Sequence, residues 1–173
     1  RKPVFAATQK NGIDSAESFK EWYTDVPGKN KKFEVPLTLK RKGDSNIYSF
    51  CSTKFFPLDE KTDAWPMSAK EKPLKHKFWF TSEWHGTFDY TGSGERFSFS
   101  GDDDCWVFID GVLVLDLGGV HGRMDKTVIL KDVKDSKGAL LTKGTKYKID
   151  VFQAERHTSG SNFCMETSIN IDK

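Results

Sequence analysis

The sequence predicts an all-β fold, an antiparallel β-sandwich with one short N-terminal helix, and three observations predict it. Short segments rich in aromatic and β-branched residues recur along the chain, separated by glycine, proline, asparagine and aspartate. Several alternate apolar with polar residues, as strands with one wet face do. Only one stretch carries helical spacing.

Asp14, followed three residues on by Glu17, reads as a capping box. Ala16, Phe19, Trp22 and Tyr23 then share a helical face, so a helix is expected over 15–24, ending before Pro27-Gly28. Strands are expected over 33–39, 46–52, 76–82, 86–91, 95–100, 105–110, 112–116, 126–131, 145–154 and 162–171. In these, Phe97 and Phe99 oppose Ser98 and Ser100, and Tyr147, Ile149 and Val151 oppose Lys148 and Asp150. Phe163, Met165, Thr167, Ile169 and Ile171 share one face of the last. Asp110-Gly111 between two apolar runs is a type I′ hairpin signal, which assigns Asp110 to a turn rather than to chemistry. Residues 59–75 and 132–143 read as long loops. Many short strands with few helices complete the sandwich pattern.

A chain of 173 residues reads as a single domain, 1–173, that buries roughly 70% of its unfolded surface. Its 27 basic and 25 acidic residues nearly cancel. The lysines are scattered, so no nucleic-acid partner is expected; the densest run, Lys40-Arg41-Lys42, sits beside Gly43-Asp44 as a solvated turn. No stretch approaches the roughly 18 apolar residues of a membrane span, so no membrane insertion is expected. Without an initiating Met or signal peptide, the chain reads as a mature or excised segment of a larger multidomain protein.

Cys51, Cys105 and Cys164 lack the short paired spacings of a zinc site. One disulfide plus a free thiol suits a secreted protein, with Cys105–Cys164 the pairing expected first. Three buried small hydrophobic residues are the alternative.

The run Gly101-Asp102-Asp103-Asp104 stands directly before the apolar Cys105-Trp106-Val107-Phe108-Ile109. Crowded carboxylates repel unless water, a cation or a basic group neutralises them. Regular strand geometry sends neighbours to opposite faces, so Asp102 and Asp103 reach one ion only if the chain turns sharply between them, through a strained or cis peptide. On charge alone, a solvated acidic loop capping the strand is the favoured explanation of the run. An EF-hand does not explain it, because the twelfth position from Asp102 is Leu113 rather than Glu.

Three other clusters compete for a role. In Asp116-Leu117-Gly118-Gly119-Val120-His121-Gly122, His121 is either a ligand contact or a structural residue of a Gly-rich bend. The segment lacks the Gly-Lys-Ser/Thr of a phosphate loop. Glu155-Arg156-His157-Thr158-Ser159-Gly160-Ser161-Asn162 can supply carbonyls and an amide oxygen to a hard cation, or can be an ordinary connection with Arg156 paired to a carboxylate. Trp65, Trp79, Trp84 and Trp106 are sugar-stacking rings if exposed and core if not.

In combination these features are similar to a known family. Phe19-Lys20-Glu21-Trp22-Tyr23-Thr24-Asp25-Val26-Pro27, Phe56-Pro57-Leu58-Asp59, Phe80-Thr81-Ser82-Glu83 and the run from Phe99 to Gly111 resemble the fibro-slime domain. So do Asp116-Leu117-Gly118-Gly119-Val120-His121 and the run from Ala154 to Phe163. Fibro-slime domains are relatives of the protective-antigen-type β-sandwich of extracellular adhesins, toxins and carbohydrate-active enzymes. In the sugar-binding members, two adjacent Asp residues joined by a cis peptide and an Asn from a nearby loop chelate calcium, and the ion binds glycan hydroxyls directly.

The resemblance implies a calcium held by Asp102, Asp103 and Asn162, with carbonyls from 157–162. Asp104 lies outside the matching pair, but the Asp104-Cys105 departure from the family pattern leaves open which two of the three Asp residues bind. Asp104, His121, His157, Ser159, Gly160 and Ser161 are the residues expected to meet the ligand. Calcium takes roughly six to eight oxygens, so vicinal sugar hydroxyls would complete such a set. The expectation is a non-enzymatic, calcium-dependent carbohydrate-binding (adhesin or lectin-like) module of an extracellular or cell-surface protein, with a glycan partner. The alternative is an extracellular protein-interaction or signalling module in which calcium is only structural. A glycoside hydrolase trails, because neighbouring carboxylates cannot flank a glycosidic bond.

Overall fold

A computed structural model describes residues 1–6, 13–157 and 160–172. A short helix, α1 (Ala16–Glu21), precedes nine strands: β1 (Lys40–Arg41), β2 (Tyr48–Ser52), β3 (Phe80–Asp89), β4 (Arg96–Gly101), β5 (Asp104–Ile109), β6 (Val112–Leu117), β7 (Met124–Ile129), β8 (Lys146–Glu155) and β9 (Phe163–Thr167). They form two antiparallel sheets, ordered β1-β2-β9-β4-β7 and β3-β8-β5-β6, so the expected all-β sandwich is the fold found. No helix among the described residues is long and apolar enough to cross a membrane.

Period-two alternation builds the core. Phe97 and Phe99 of β4 and Phe163 and Met165 of β9 face inward from one sheet, meeting Phe88, Cys105, Val107, Ile109, Ile149 and Val151 of the other. β5 is buried along its whole length, which is why its sequence is continuously apolar after Asp104. Its second face carries Trp106 and Phe108 beneath α1, where they pack with Phe19, Tyr23 and Phe152 as a satellite core. The helix therefore seals the outer face of the four-stranded sheet.

Several local expectations are corrected. The helix cap is Ser15 rather than Asp14: its hydroxyl accepts from Ser18 N–H at 3.0 Å, and Ser18 Oγ accepts from Ser15 N–H at 3.2 Å. The two strands expected over 76–82 and 86–91 are one continuous β3, paired with β8 throughout. Gly86 lies in its middle because the C-terminal segment crosses there: a Cβ would lie 2.4 Å from Ile171 Cγ2 and 2.8 Å from Asp172 O. Residues 33–39 join no ladder, although Leu37 and Leu39 pack against the core. Asp110 (φ 49°) and Gly111 (φ 77°) adopt the left-handed backbone that a type I′ turn requires.

The disulfide is Cys51–Cys164, not Cys105–Cys164. Phe163 and Met165 point into the core, so Cys164 between them points out, opposite Cys51 on β2. Cys105 is a free, fully buried thiol on the inner face of the other sheet, out of reach.

Candidate metal centre

β4 belongs to one sheet and β5 to the other, and only Asp102 and Asp103 join them. The chain must therefore turn abruptly at these two residues, and Asp103 does so with φ 57°. All peptide bonds among the described residues are trans, so this left-handed backbone replaces the cis bond that the resemblance implied. The turn sends the consecutive carboxylates in different directions.

Asp102 faces the 160–162 loop. Its Oδ1 accepts from Asn162 N–H at 2.6 Å, its Oδ2 accepts from the Asn162 side-chain amide at 2.7 Å, and its own N–H donates to Asn162 O at 3.3 Å. Gly101 permits this approach: a Cβ there would sit 2.6 Å from Asn162 O and 2.8 Å from the Phe99 ring. Gly160 lies alongside, where a Cβ would be 3.9 Å from Asp102 Oδ2. The structure thus brings Asp102, Gly160 and Asn162 together.

Asp103 turns inward and is 1% exposed. Its Oδ2 accepts from Arg156 N–H at 2.7 Å, and its carboxylate interacts with that of Glu155, itself 1% exposed. Burial first, and then the Asp103 carboxylate, push Glu155 up to about 8; the Ser161 hydroxyl and the His157 N–H oppose the rise. Glu155 Oε2, Ser161 Oγ and Gln153 Oε1 are buried without a hydrogen-bond partner of good geometry. Three orphaned buried oxygens near the Asp103 carboxylate make an acceptor-rich pocket.

Asp104 opens β5 on its outer face. Its carboxylate accepts from Arg156 Nε at 2.5 Å and Nη2 at 3.1 Å, and from Gly119 N–H at 2.6 Å. Burial raises this carboxyl and the Arg156 guanidinium pulls it back. The guanidinium also lies over the Trp22 ring, 5.4 Å from its centroid, which ties α1 to the loop.

The remaining expected ligand contacts are dispersed. The ring nitrogens of His121 face carbonyls of its own bend, Gly122 O at 2.8 Å and Leu117 O at 3.1 Å. The exposed His157 donates its N–H to Glu155 Oε1 at 3.3 Å. Ser161 is buried, its carbonyl accepting from Phe55 N–H at 3.0 Å. Ser159 lies outside the described residues.

Sequence reasoning missed Glu155 and Gln153 as site residues. The signal was present: Tyr147, Ile149 and Val151 set an inward parity that Gln153 and Glu155 continue with polar side chains. The register confirms it, pairing Glu155 with core Phe80 and Gln153 with core Cys105. In sequence, Trp79 is one candidate stacking ring among four. It is 47% exposed, has φ 52°, and its indole N–H donates to Arg156 O at 3.0 Å, next to the centre.

The chemistry of these donors suits a hard divalent cation: carboxylates, an amide, backbone carbonyls and orphaned buried oxygens. The arrangement also bounds the ligand set. Among the described residues, the only trio of His, Cys, Asp or Glu ligand atoms within 4.8 Å of one another is Cys51, Cys164 and Glu166, two of which are tied as a disulfide. Among the described residues, therefore, no third acid joins Asp102 and Asp103 in such a trio.

Residues 22–173 match the PA14 domain. The chain is 38% identical to protein psiQ of Dictyostelium discoideum over 98% of its length, covering 17% of that protein. It is 40% identical to protein psiD of the same organism over 91% of its length, covering 30% of that protein. Protein psiF is 37% identical over 91% of the chain, which covers 24% of that relative. The chain thus spans less than a third of each of these proteins. Among solved structures, an alpha-xylosidase of glycoside hydrolase family 31 from Xanthomonas citri matches 68% of this chain and 11% of its own, at 14% identity and a TM-score of 0.39.

Proposed function

The chain belongs to the PA14 domain family, and from that premise we propose that it is a non-enzymatic, calcium-dependent carbohydrate-binding module of an extracellular protein. Asp102, Asp103 and Asn162 would hold the ion, with carbonyls of the 157–162 loop, and hydroxyls of a glycan would fill the positions left open. The observation that carries this reading is the Asp102–Asn162 lock at the sheet-to-sheet turn, beyond which the Asp103 carboxylate turns inward. Asp104 falls outside the proposed set because Arg156 and Gly119 hold it.

Calcium, when bound, supplies charge neutralisation and a Lewis-acidic anchor for vicinal hydroxyls. The chain's own contribution is to hold the donors before the ligand arrives, which lowers the ordering cost of binding. Trp79 supports the reading, since an exposed indole fixed by its N–H can stack on the apolar face of a sugar ring. The Cys51–Cys164 disulfide supports an extracellular or cell-surface location, where disulfides persist. The small share that the chain covers of its relatives supports membership of a larger multidomain protein.

The test is a glycan array probed with the intact domain in calcium and in chelator. Sugar binding should appear only with calcium and should vanish in Asp102→Asn and Asn162→Ala. One observation favours a second reading, in which calcium only rigidifies a protein-interaction surface: both Asp102 oxygens already have donors within the chain. Under that reading calcium raises the melting temperature and no sugar binds.

A further inference from the structure

Beside the centre lies a cleft of about 260 Å³, below the roughly 300–1,000 Å³ of drug-sized sites and suited to one sugar ring rather than a long oligosaccharide. Asn162, whose amide holds Asp102, forms one wall, and the Cys51–Cys164 disulfide, Ser52, Thr53 and Ser100 line the rest with Arg123. The cleft and the centre thus share Asn162.

Arg123 is exposed, and its Nε donates to Ser100 Oγ at 2.8 Å. It makes no ion pair among the described residues. Asp125 lies opposite Ser100 in the β4–β7 register and makes no ion pair among the described residues. A guanidinium fixed at one nitrogen presents its remaining N–H groups as a fork suited to a planar or tetrahedral oxyanion. Every other lining side chain named is neutral, and Glu166, whose carboxylate lies within 4.8 Å of the disulfide sulfurs, is paired with Lys42, so Arg123 is the one charged group of the lining.

We propose that this cleft is the selectivity subsite of the centre, and that it prefers saccharides bearing a carboxylate or sulfate over their neutral counterparts, with Arg123 as the counter-ion. The inference rests on the calcium-dependent glycan reading above. It places the sugar's vicinal hydroxyls on the ion and its acidic group against Arg123.

Titration calorimetry in excess calcium tests it, using the methyl glycosides of galactose, galacturonate, glucose and glucuronate, and methyl galactoside 6-sulfate. An acidic probe should bind about tenfold or more tighter than its neutral counterpart, as befits one charge-assisted contact. Carboxylate and sulfate arms show which oxyanion fits. Arg123→Gln should remove that margin while leaving calcium uptake unchanged. Equal binding of acidic and neutral probes, or a margin that survives Arg123→Gln, overturns this inference alone, since calcium uptake and neutral-sugar binding then persist. Binding of none of the probes also overturns it, and failure of the domain to take up calcium brings down the parent reading with it.

Discussion

Asp104 leaves the outer face of β5 with Trp106 and Phe108, whereas Asp103, one residue earlier, turns into the sandwich toward Glu155. The two buried carboxylates are stabilised in unlike ways. Asp104 has a guanidinium; Arg156→Met would leave it buried with its cation gone, at a cost of about 3–5 kcal/mol measured by urea unfolding. Among the described residues, Asp103 and Glu155 have each other, the Ser161 hydroxyl and backbone amides. Glu155 holds its proton to about pH 8 when folded but releases it near 4.5 when unfolded. Between those values the folded state binds more protons, so stability in chelator should fall as pH rises from about 4.5 to 8, then level off. Melting curves across pH 5–9 read this directly, and Glu155→Gln should flatten the decline.

At the scale of elements, the β4–β5 crossing positions the centre, and Gly101 is its hinge. Gly101→Ala should force the β4 end away from Asn162 O, destabilising the domain by about 1–3 kcal/mol and weakening calcium uptake together. The Cys51–Cys164 bridge joins β2 to β9 across a separation of 113 residues, so Cys164→Ser should cost about 2–5 kcal/mol. Thiol titration without reductant should find no reactive thiol in the native protein and one, Cys105, after unfolding. Alternation in β4, β8 and β9 was legible because each strand has one core face and one wet face. The Asp110-Gly111 hairpin was legible because its turn is local. The disulfide was not, since pairing depends on which strands become neighbours; yet the inward parity of Phe163 and Met165 already placed Cys164 on the wrong face for Cys105. Asp102 and Asn162 were identified through resemblance, and their contact lies in the described geometry. Glu155 was passed over because a buried acid at a strand end looks in sequence like the first residue of a polar loop.

For the whole molecule, the sandwich is a scaffold whose two sheets meet at a charged turn, sealed on one side by α1 and tied by Arg156 to both Asp104 and Trp22. Calcium bound only by the folded state at a hundredfold its Kd stabilises by about 2.7 kcal/mol, which for this size of domain raises the melting temperature by about 5–11 °C. That rise alone is common to the sugar-binding and the purely structural roles. The decisive measurement is calcium titration calorimetry on the intact domain and on Asp102→Asn, repeated with a glycan that the array selects. The account predicts one calcium per chain, lost in the variant, with glycan heat appearing only after the ion is bound. Absence of calcium uptake by the wild-type domain, or uptake indifferent to Asp102, would contradict it.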